Sequence, residues 1–480
     1  MTQDATTSQG QLSRVLARKD VLALAFGAMI GWGWIVLTGS WIQSAGSLGA
    51  ITAFLIGGLI IVLVGLTYAE LASAMPQVGG EHVYSYRAMG HFASFLCTWA
   101  ITLGYVSVVA FEAVALPTVV EHLFPNYAIG HLWTITGWEV KATWVAVGVA
   151  GSLVMMWINY IGVRTAALVQ KVVTLLILAV GILFITGALF QGSTATMQPL
   201  FSVEEGVMGG IMMVIIMVPF MFVGFDVIPQ AAEEINLPFR EIGRVLMISV
   251  ILAVFWYAFI ILGTSLMLDP EALGASSLAV PDAMQAAFQA PWAGNLMILA
   301  GIAGIITSWN AFYIGGSRAI YALAHSGMLP AWLGKLHPTY RTPTNAILVM
   351  GILSAIAPFF GRPALVWLVV AGGLGIVIAY LFVSLSFVVL RRREPEMARP
   401  FKVRQGKLVG ALAVLLSLGL TAMYLPGSPS ALSAIEWAIF AGWMMIGLAL
   451  YAWSRARYGT AYSDSMMQRE LAGADPYQGR

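Results

Sequence analysis

Long apolar blocks alternate with short polar stretches along the whole chain, and the apolar blocks have the length of membrane spans. A bilayer core of about 30 Å needs about 20 apolar residues of helix. Blocks of that kind lie at 21–43, 50–73, 92–121, 140–160, 168–191, 206–228, 243–268, 294–324, 344–361, 364–390, 407–425 and 432–453, which predicts twelve spans. Helix is the conformation expected for each, because an open sheet would leave backbone groups unpaired in lipid. The block at 294–324 is long enough to protrude or tilt.

The polar stretches between the blocks set an orientation. With both termini on one side, all but two of the 24 Lys and Arg residues fall on that side, among them Arg14, Arg18, Lys19, Arg87, Arg164, Lys171, Arg240, Arg244, Arg318, Lys335, Arg341, Arg391, Arg392, Arg393 and Arg455. Only Lys141 and Arg362 lie opposite. Positive charge is retained in the cytoplasm, so N- and C-termini are expected there, with the chain multi-pass in a cell inner membrane. A missed or invented span would scramble this sorting. The run 391–404 reads as a topology anchor beside anionic lipid.

Composition agrees. Of 480 residues, 59% are hydrophobic and 10% charged, against about 25% charged in soluble domains. Mean hydropathy is +0.85. The single cysteine, Cys97, excludes an internal disulfide framework and a thiolate metal cluster. Residues 1–20 are polar and basic without an apolar core, which suits a cytoplasmic tail rather than a signal peptide. No glycine-rich phosphate loop precedes a soluble domain, and no arginine ladder runs through a span, so an ATP-driven machine and a voltage sensor are not expected.

Two blocks are interrupted at mid-depth. The first reads Gly27-Ala28-Met29-Ile30-Gly31-Trp32-Gly33-Trp34-Ile35, and the sixth reads Val218-Pro219-Phe220-Met221-Phe222-Val223-Gly224-Phe225-Asp226-Val227-Ile228-Pro229. Proline removes a backbone donor and glycine lowers helix propensity, so both should unwind. Breaks in register in two halves point to an inverted-repeat transporter with its site at the midplane. Unwound backbone offers N–H groups to a carboxylate and C=O groups to an ammonium or metal cation, with half-helix dipoles reinforcing both. The alternative is that these glycines only let helices pack closely.

The first block, Tyr68-Ala69-Glu70-Leu71-Ala72, Met75-Pro76, Gly79-Gly80-Glu81 and the sixth block resemble the amino acid–polyamine–organocation (APC) transporters. Glu233-Glu234, Pro238 and Arg240 fall where that family carries an acidic pair, a proline and an arginine. Arg318, Tyr321-Ala322 and Gly327-Met328-Leu329-Pro330 match its loop after span eight. The resemblance covers roughly residues 20–400 and implies an all-α membrane protein with a leucine-transporter-like fold. That divides the chain into a tail at 1–20, a first five-helix repeat at 21–191, an inverted repeat at 206–390, helices 11 and 12 at 407–453, and a tail at 454–480. It also implies a permease for an amino acid or related small amine, working by alternating access, as a monomer or homodimer in membrane lipid with no nucleic-acid partner. A polyamine or amine exchanger is the nearest alternative.

Departures from the family pattern matter. Trp32 stands where the family usually has a small residue, and Trp34 adds a second indole. Leu237, Gly243 and His325-Ser326 also differ, in loops. The expected substrate contacts are Ile30, Gly31, Trp32, Gly33, Trp34, Phe222, Gly224, Phe225 and Trp309, with the aromatics, Tyr313 included, suggesting a compact apolar-walled pocket. Asp226 and Glu112 are intramembrane carboxylates and are expected to couple or gate. For Asp226, pH sensing, gating, facing a cationic substrate and capping free N–H groups all stay open, and Glu112 is placed nearer the outer face.

Proton-coupled relatives often carry a lysine in span five. An alignment through Asn159, Arg164, Val169-Gln170 and Thr174 puts Ile177 at that place, and Lys171 falls about a turn and a half too early. Thr307-Ser308 match the hydroxyl pair that holds sodium in relatives of this fold. Oxygens of Ala28 and Gly31 would complete a hard-cation shell. Plain bonding of these hydroxyls to their own helix is the bland alternative. Sodium and proton both stay open as the coupling ion, with no other cofactor. A passive channel or facilitator would need polar rings on several helices, which are not evident. An intramembrane enzyme would need a constellation that His82, His91, His122, His131, His325 and His337, all in loops or at helix ends, do not form.

Overall fold

The computed structural model describes residues 16–162, 164–428, 430–459 and 464–465, without the side chains of 164–169. Most of the expected tails, at 1–20 and 454–480, lies outside the described residues, as do Arg14 and the side chains of Arg164 and Val169. The elements in order are α1 (Arg18–Met29), α2 (Gly33–Val36), α3 (Thr38–Ala45), α4 (Ser47–Ala74), α5 (Glu81–Met89), α6 (His91–Leu123), β1 (His131–Ile135), β2 (Trp138–Lys141), α7 (Ala142–Ile161) and α8 (Arg164–Gln191). The chain continues through α9 (Gly206–Ile215), α10 (Val218–Phe222), α11 (Val227–Gln230), α12 (Phe239–Met267), α13 (Pro270–Ala275), α14 (Ala279–Phe288), α15 (Pro291–His325), α16 (Thr344–Ile356), α17 (Ala364–Arg393), α18 (Gly406–Met423) and α19 (Ala434–Tyr458).

This is a multi-pass, all-α membrane protein. Among the described residues, ten helical segments are long and apolar enough to cross a bilayer. Of the two remaining expected spans, 206–228 is split into α9, α10 and α11, and 344–361 is the 13-residue α16 followed by a 3-10 turn. The split follows from Pro219, Gly224 and Pro229. Outside the helices, β1 and β2 form a hairpin whose Thr136 and Gly137 both have positive φ, the geometry of a tight two-residue turn.

Small residues set the packing of the bundle. On the α6–α17 crossing, a Cβ at Gly375 would stand 2.5 Å from the Ala100 carbonyl, and one at Gly372 would stand 2.7 Å from Ser107 Cβ. In lipid, close approach of this kind replaces the hydrophobic drive as the glue between helices. Beside this crossing, Trp99 of α6 and Trp443 of α19 stack at 4.4 Å, and each indole N–H donates to the other's backbone carbonyl at 2.9 Å.

One end of the bundle gathers the basic residues. Leu16 bonds to Glu234 and Asn236 backbone, Lys171 pairs with Asp20 at 2.8 Å, and Arg87 grips Glu394. The run 391–404 does more than face lipid. Arg391 and Arg399 turn inward onto the buried Glu70, which also accepts the Val403 N–H. A buried carboxylate is stable when it is paired and hydrogen-bonded in this way.

Candidate functional site at the facing helix breaks

The two interruptions are real breaks and they face each other. The chain leaves helix at Ile30 and re-enters it at Gly33. In the second break Val223 is extended and Gly224 takes φ +136°, which a side chain would strain. A Cβ on Gly224 would lie 2.8 Å from Ala28 Cβ and 2.9 Å from the Met29 nitrogen. The Tyr257 hydroxyl of α12 lies 2.8 Å from the Met29 carbonyl and 3.0 Å from the Met221 carbonyl, so it spans both breaks. No sequence reading had singled it out. Its one signal was a hydroxyl inside a strongly apolar block.

Glu112 belongs to this site, not to the outer face where it was expected. Its Oε1 accepts the Trp32 N–H at 3.4 Å, and a Cβ at Gly31 would run into that oxygen and the Ser308 hydroxyl. Glu112 is 1% exposed, and its Oε2 is buried with no partner. The residues that place it are the long apolar helix α6 and the missing side chain at Gly31. The carboxylate thus sits where the unwound backbone offers its N–H.

Asp226 is a cap. Its Oδ1 accepts the Gly224 N–H at 2.6 Å and its Oδ2 accepts the Tyr105 hydroxyl at 2.8 Å. It therefore holds the second break to α6. Phe222 packs on Tyr257 and Phe54, whereas Phe225 packs on Tyr68 and Tyr380, so the two aromatics bracket the break from opposite sides.

Of the remaining expected contacts, Ile30 is fully buried and its carbonyl, with that of Gly31, closes against Gly304 of α15. Gly33 lies under the Met221 thioether. The Trp32 ring covers Gly301 of α15, and Trp34 meets Trp256 edge-on at 5.1 Å. The ring edge of Trp309 rests against Gly151 of α7, which puts it in the space between α15 and α7. The indole N–H groups of Trp32, Trp34 and Trp309 are buried without partners, a donor set that could meet a polar ligand.

At the expected cation position, the Thr307 hydroxyl donates toward the Gly27 carbonyl at 3.1 Å and that of Gly304 at 3.0 Å. Ser308 faces Gly31. Ala28 packs on Gly224, and Ile177 is fully buried. Gln170 donates to the Ala23 carbonyl at 3.2 Å, fastening α8 to α1.

Comparison with known proteins shows the family that carries these facing breaks. The amino acid permease family profile matches residues 16–451. The chain belongs to the amino acid permease family, within the APC superfamily. This permease is similar to the branched-chain amino acid permease BcaP of Bacillus subtilis (strain 168), at 26% identity over 93% of this chain and 94% of that one. It is similar also to the methylthioribose transporter of the same organism, at 25% identity over 94% and 95% of the two chains. A third relative is that organism's aspartate-proton symporter, at 24% identity over 86% and 79%. The protein is a transporter and not an enzyme. The names of these three relatives differ in substrate, and other relatives are cationic amino acid transporters, so relatedness alone names no substrate for this permease.

Proposed function

We propose that this permease is a secondary active carrier of an amino acid or related small amine, working by alternating access with its site at the breaks of 30–32 and 223–226. Tyr257 carries this reading, because its hydroxyl touches a carbonyl from each break and so ties both interruptions to one point. The substrate's charged ends would meet backbone groups there, as half-helix termini allow.

The reading includes twelve crossings built as two inverted five-helix units, 21–191 and 206–390, with helices at 407–453 added. Its support is that counterparts five spans apart touch. Gly224 packs on Ala28, Gly58 of α4 on Val254 of α12, and Gly316 of α15 on Tyr105 of α6. Both termini and the basic end are placed in the cytoplasm, in a cell inner membrane.

The coupling ion in this reading is a proton. Glu112 touches the first break directly, and one relative is by name a proton symporter. Sodium held by Ala28, Gly31, Thr307 and Ser308 is the rival. One observation favours an amine over an α-amino acid: Glu112 already takes the Trp32 N–H that a substrate carboxylate would need. A neutral Glu112 would hold that donor less tightly, and a substrate without a carboxylate would not require it.

Counterflow in proteoliposomes tests the reading. Vesicles loaded with one unlabelled compound from a panel of amino acids and amines should accelerate uptake of the same labelled compound. A channel gives no such acceleration, and its absence across the panel would overturn the carrier reading.

A further inference from the structure

Glu81 opens α5, the short helix that follows the Gly79–Gly80 turn, and it is fully buried. Both glycines have positive φ, and they press the turn onto Ala322 and Pro229: a Cβ would stand 2.7 Å from Ala322 Cβ at Gly79 and 2.9 Å from Pro229 Cβ at Gly80. The Gln230 side-chain amide donates to Glu81 Oε2. Gln230 follows Asp226 by four residues, one helical turn, so the carboxyls of Glu81 and Asp226 share one compartment. Asp226 is likewise fully buried. Around them, Glu81 Oε1, Gln230 Oε1 and the hydroxyls of Tyr68, Tyr84 and Tyr380 are buried without hydrogen-bond partners.

The compartment is short of positive charge. The buried guanidinium of Arg318 is spent on Glu234 at 2.9 Å. His82 stays neutral, because burial first and then His91 and His325 pull it down to about 3. Its Nδ1 meets the Ser94 hydroxyl instead. The other titratable groups facing the two carboxyls are Tyr68, Tyr84, Tyr105, Tyr380 and the Cys97 thiol, none of them a cation. Burial, and after it the negative charge of Asp226, raises the Glu81 carboxyl well above its usual range. Hydrogen bonds from its own backbone and from Gln230 oppose this only in part. Two carboxylates that act on one another in so dry a compartment do not both stay ionised.

We propose that Glu81 and Asp226 form a proton-binding site, in which one shared proton fastens α5 and the Gly79–Gly80 turn to the second helix break. Loss of that proton to water at the basic end leaves two like charges in a dry compartment. Their repulsion drives α5 away from the break and opens the route between the substrate site and that end. The proton's place in a transport cycle rests on the carrier reading above, whereas the latch itself does not.

Cys97 supplies the assay. It is the only cysteine in the chain, it is fully buried on α6, and Glu81 lies close enough to influence its thiol. The purified full-length protein is treated with N-ethylmaleimide at pH values between about 5 and 8, and the rate at each pH is divided by that of the unfolded protein to remove the thiol's own titration. The normalised rate should rise by about tenfold or more toward high pH, as the latched population falls. Glu81→Gln, neutral at every pH, should label slowly with no such rise, and Asp226→Asn should flatten the profile as well. A flat wild-type profile overturns the proposal whatever the variants do, and so does a Glu81→Gln protein that keeps the wild-type slope. The assay uses no substrate, so its failure would leave the carrier reading standing, and a failed counterflow experiment would leave the latch standing.

Discussion

The Glu112 carboxylate accepts the backbone N–H of Trp32 at 3.4 Å, across 80 residues of sequence. An acid on an unbroken helix thereby occupies the donor that an interrupted helix releases. If Glu112 carries the coupling proton, Glu112→Gln should cut pH-driven concentrative uptake by roughly tenfold or more, the scale of a strong coupling free energy. Exchange in counterflow should persist, because it needs no net proton movement. Equal loss in both assays would make Glu112 a substrate or structural contact instead.

Uptake should continue when sodium is replaced by choline and should collapse when a protonophore is added. Thr307 spends its hydroxyl on the Gly27 and Gly304 carbonyls, and Ser308 faces Gly31 beside Glu112. Uptake that stops in choline, together with loss of sodium stimulation in Thr307→Ala/Ser308→Ala, would restore the sodium site.

At Gly31 there is no room for a side chain, since a Cβ would meet Glu112 and Ser308. Gly31→Leu should abolish uptake while the protein still inserts and elutes as a single species. Overpacking of a tight site costs about 1–3 kcal/mol, which is local damage and not wholesale unfolding. Normal uptake by this variant would remove the first break from the site.

Tyr257→Phe keeps the ring stacked on Phe54 and Phe222 but leaves the Met29 and Met221 carbonyls without their shared donor. An unmet buried acceptor costs about 1–3 kcal/mol. The melting temperature in detergent should fall, and uptake should fall with it because the breaks are no longer tied together. A stability loss with unchanged uptake would limit Tyr257 to packing.

The histidine beside Glu81 gives a pH signature of its own. His82 is held down to about 3, whereas in the unfolded chain it returns to the ordinary value of about 6.5. Below that value the unfolded chain takes up a proton that the folded chain refuses, so this group makes the protein less stable as pH falls from about 6.5 toward 3. His82→Gln should therefore flatten the acid side of the melting-temperature profile relative to wild type. A steeper or identical slope would show that His82 titrates freely in the fold.

The sequence alone was enough for the class of protein and for the places where its helices fail. Apolar block length depends only on local composition and bilayer thickness, and proline and glycine act on their own turn of helix, so the breaks near Gly31 and Gly224 were legible residue by residue. What composition could not place was any side chain that reaches across helices. Glu112 looked like an acid near the outer face, Tyr257 carried no reading, and Glu81 was only one residue of the Gly79-Gly80-Glu81 motif. Each acquires its role from a partner far away in the chain: the Trp32 backbone, the two break carbonyls, and the Gln230–Asp226 turn. Those meetings are set by how closely small residues such as Gly301, Gly304 and Gly375 let the helices cross. Helix crossing is a property of the packed bundle, and no local periodicity in the sequence encodes it.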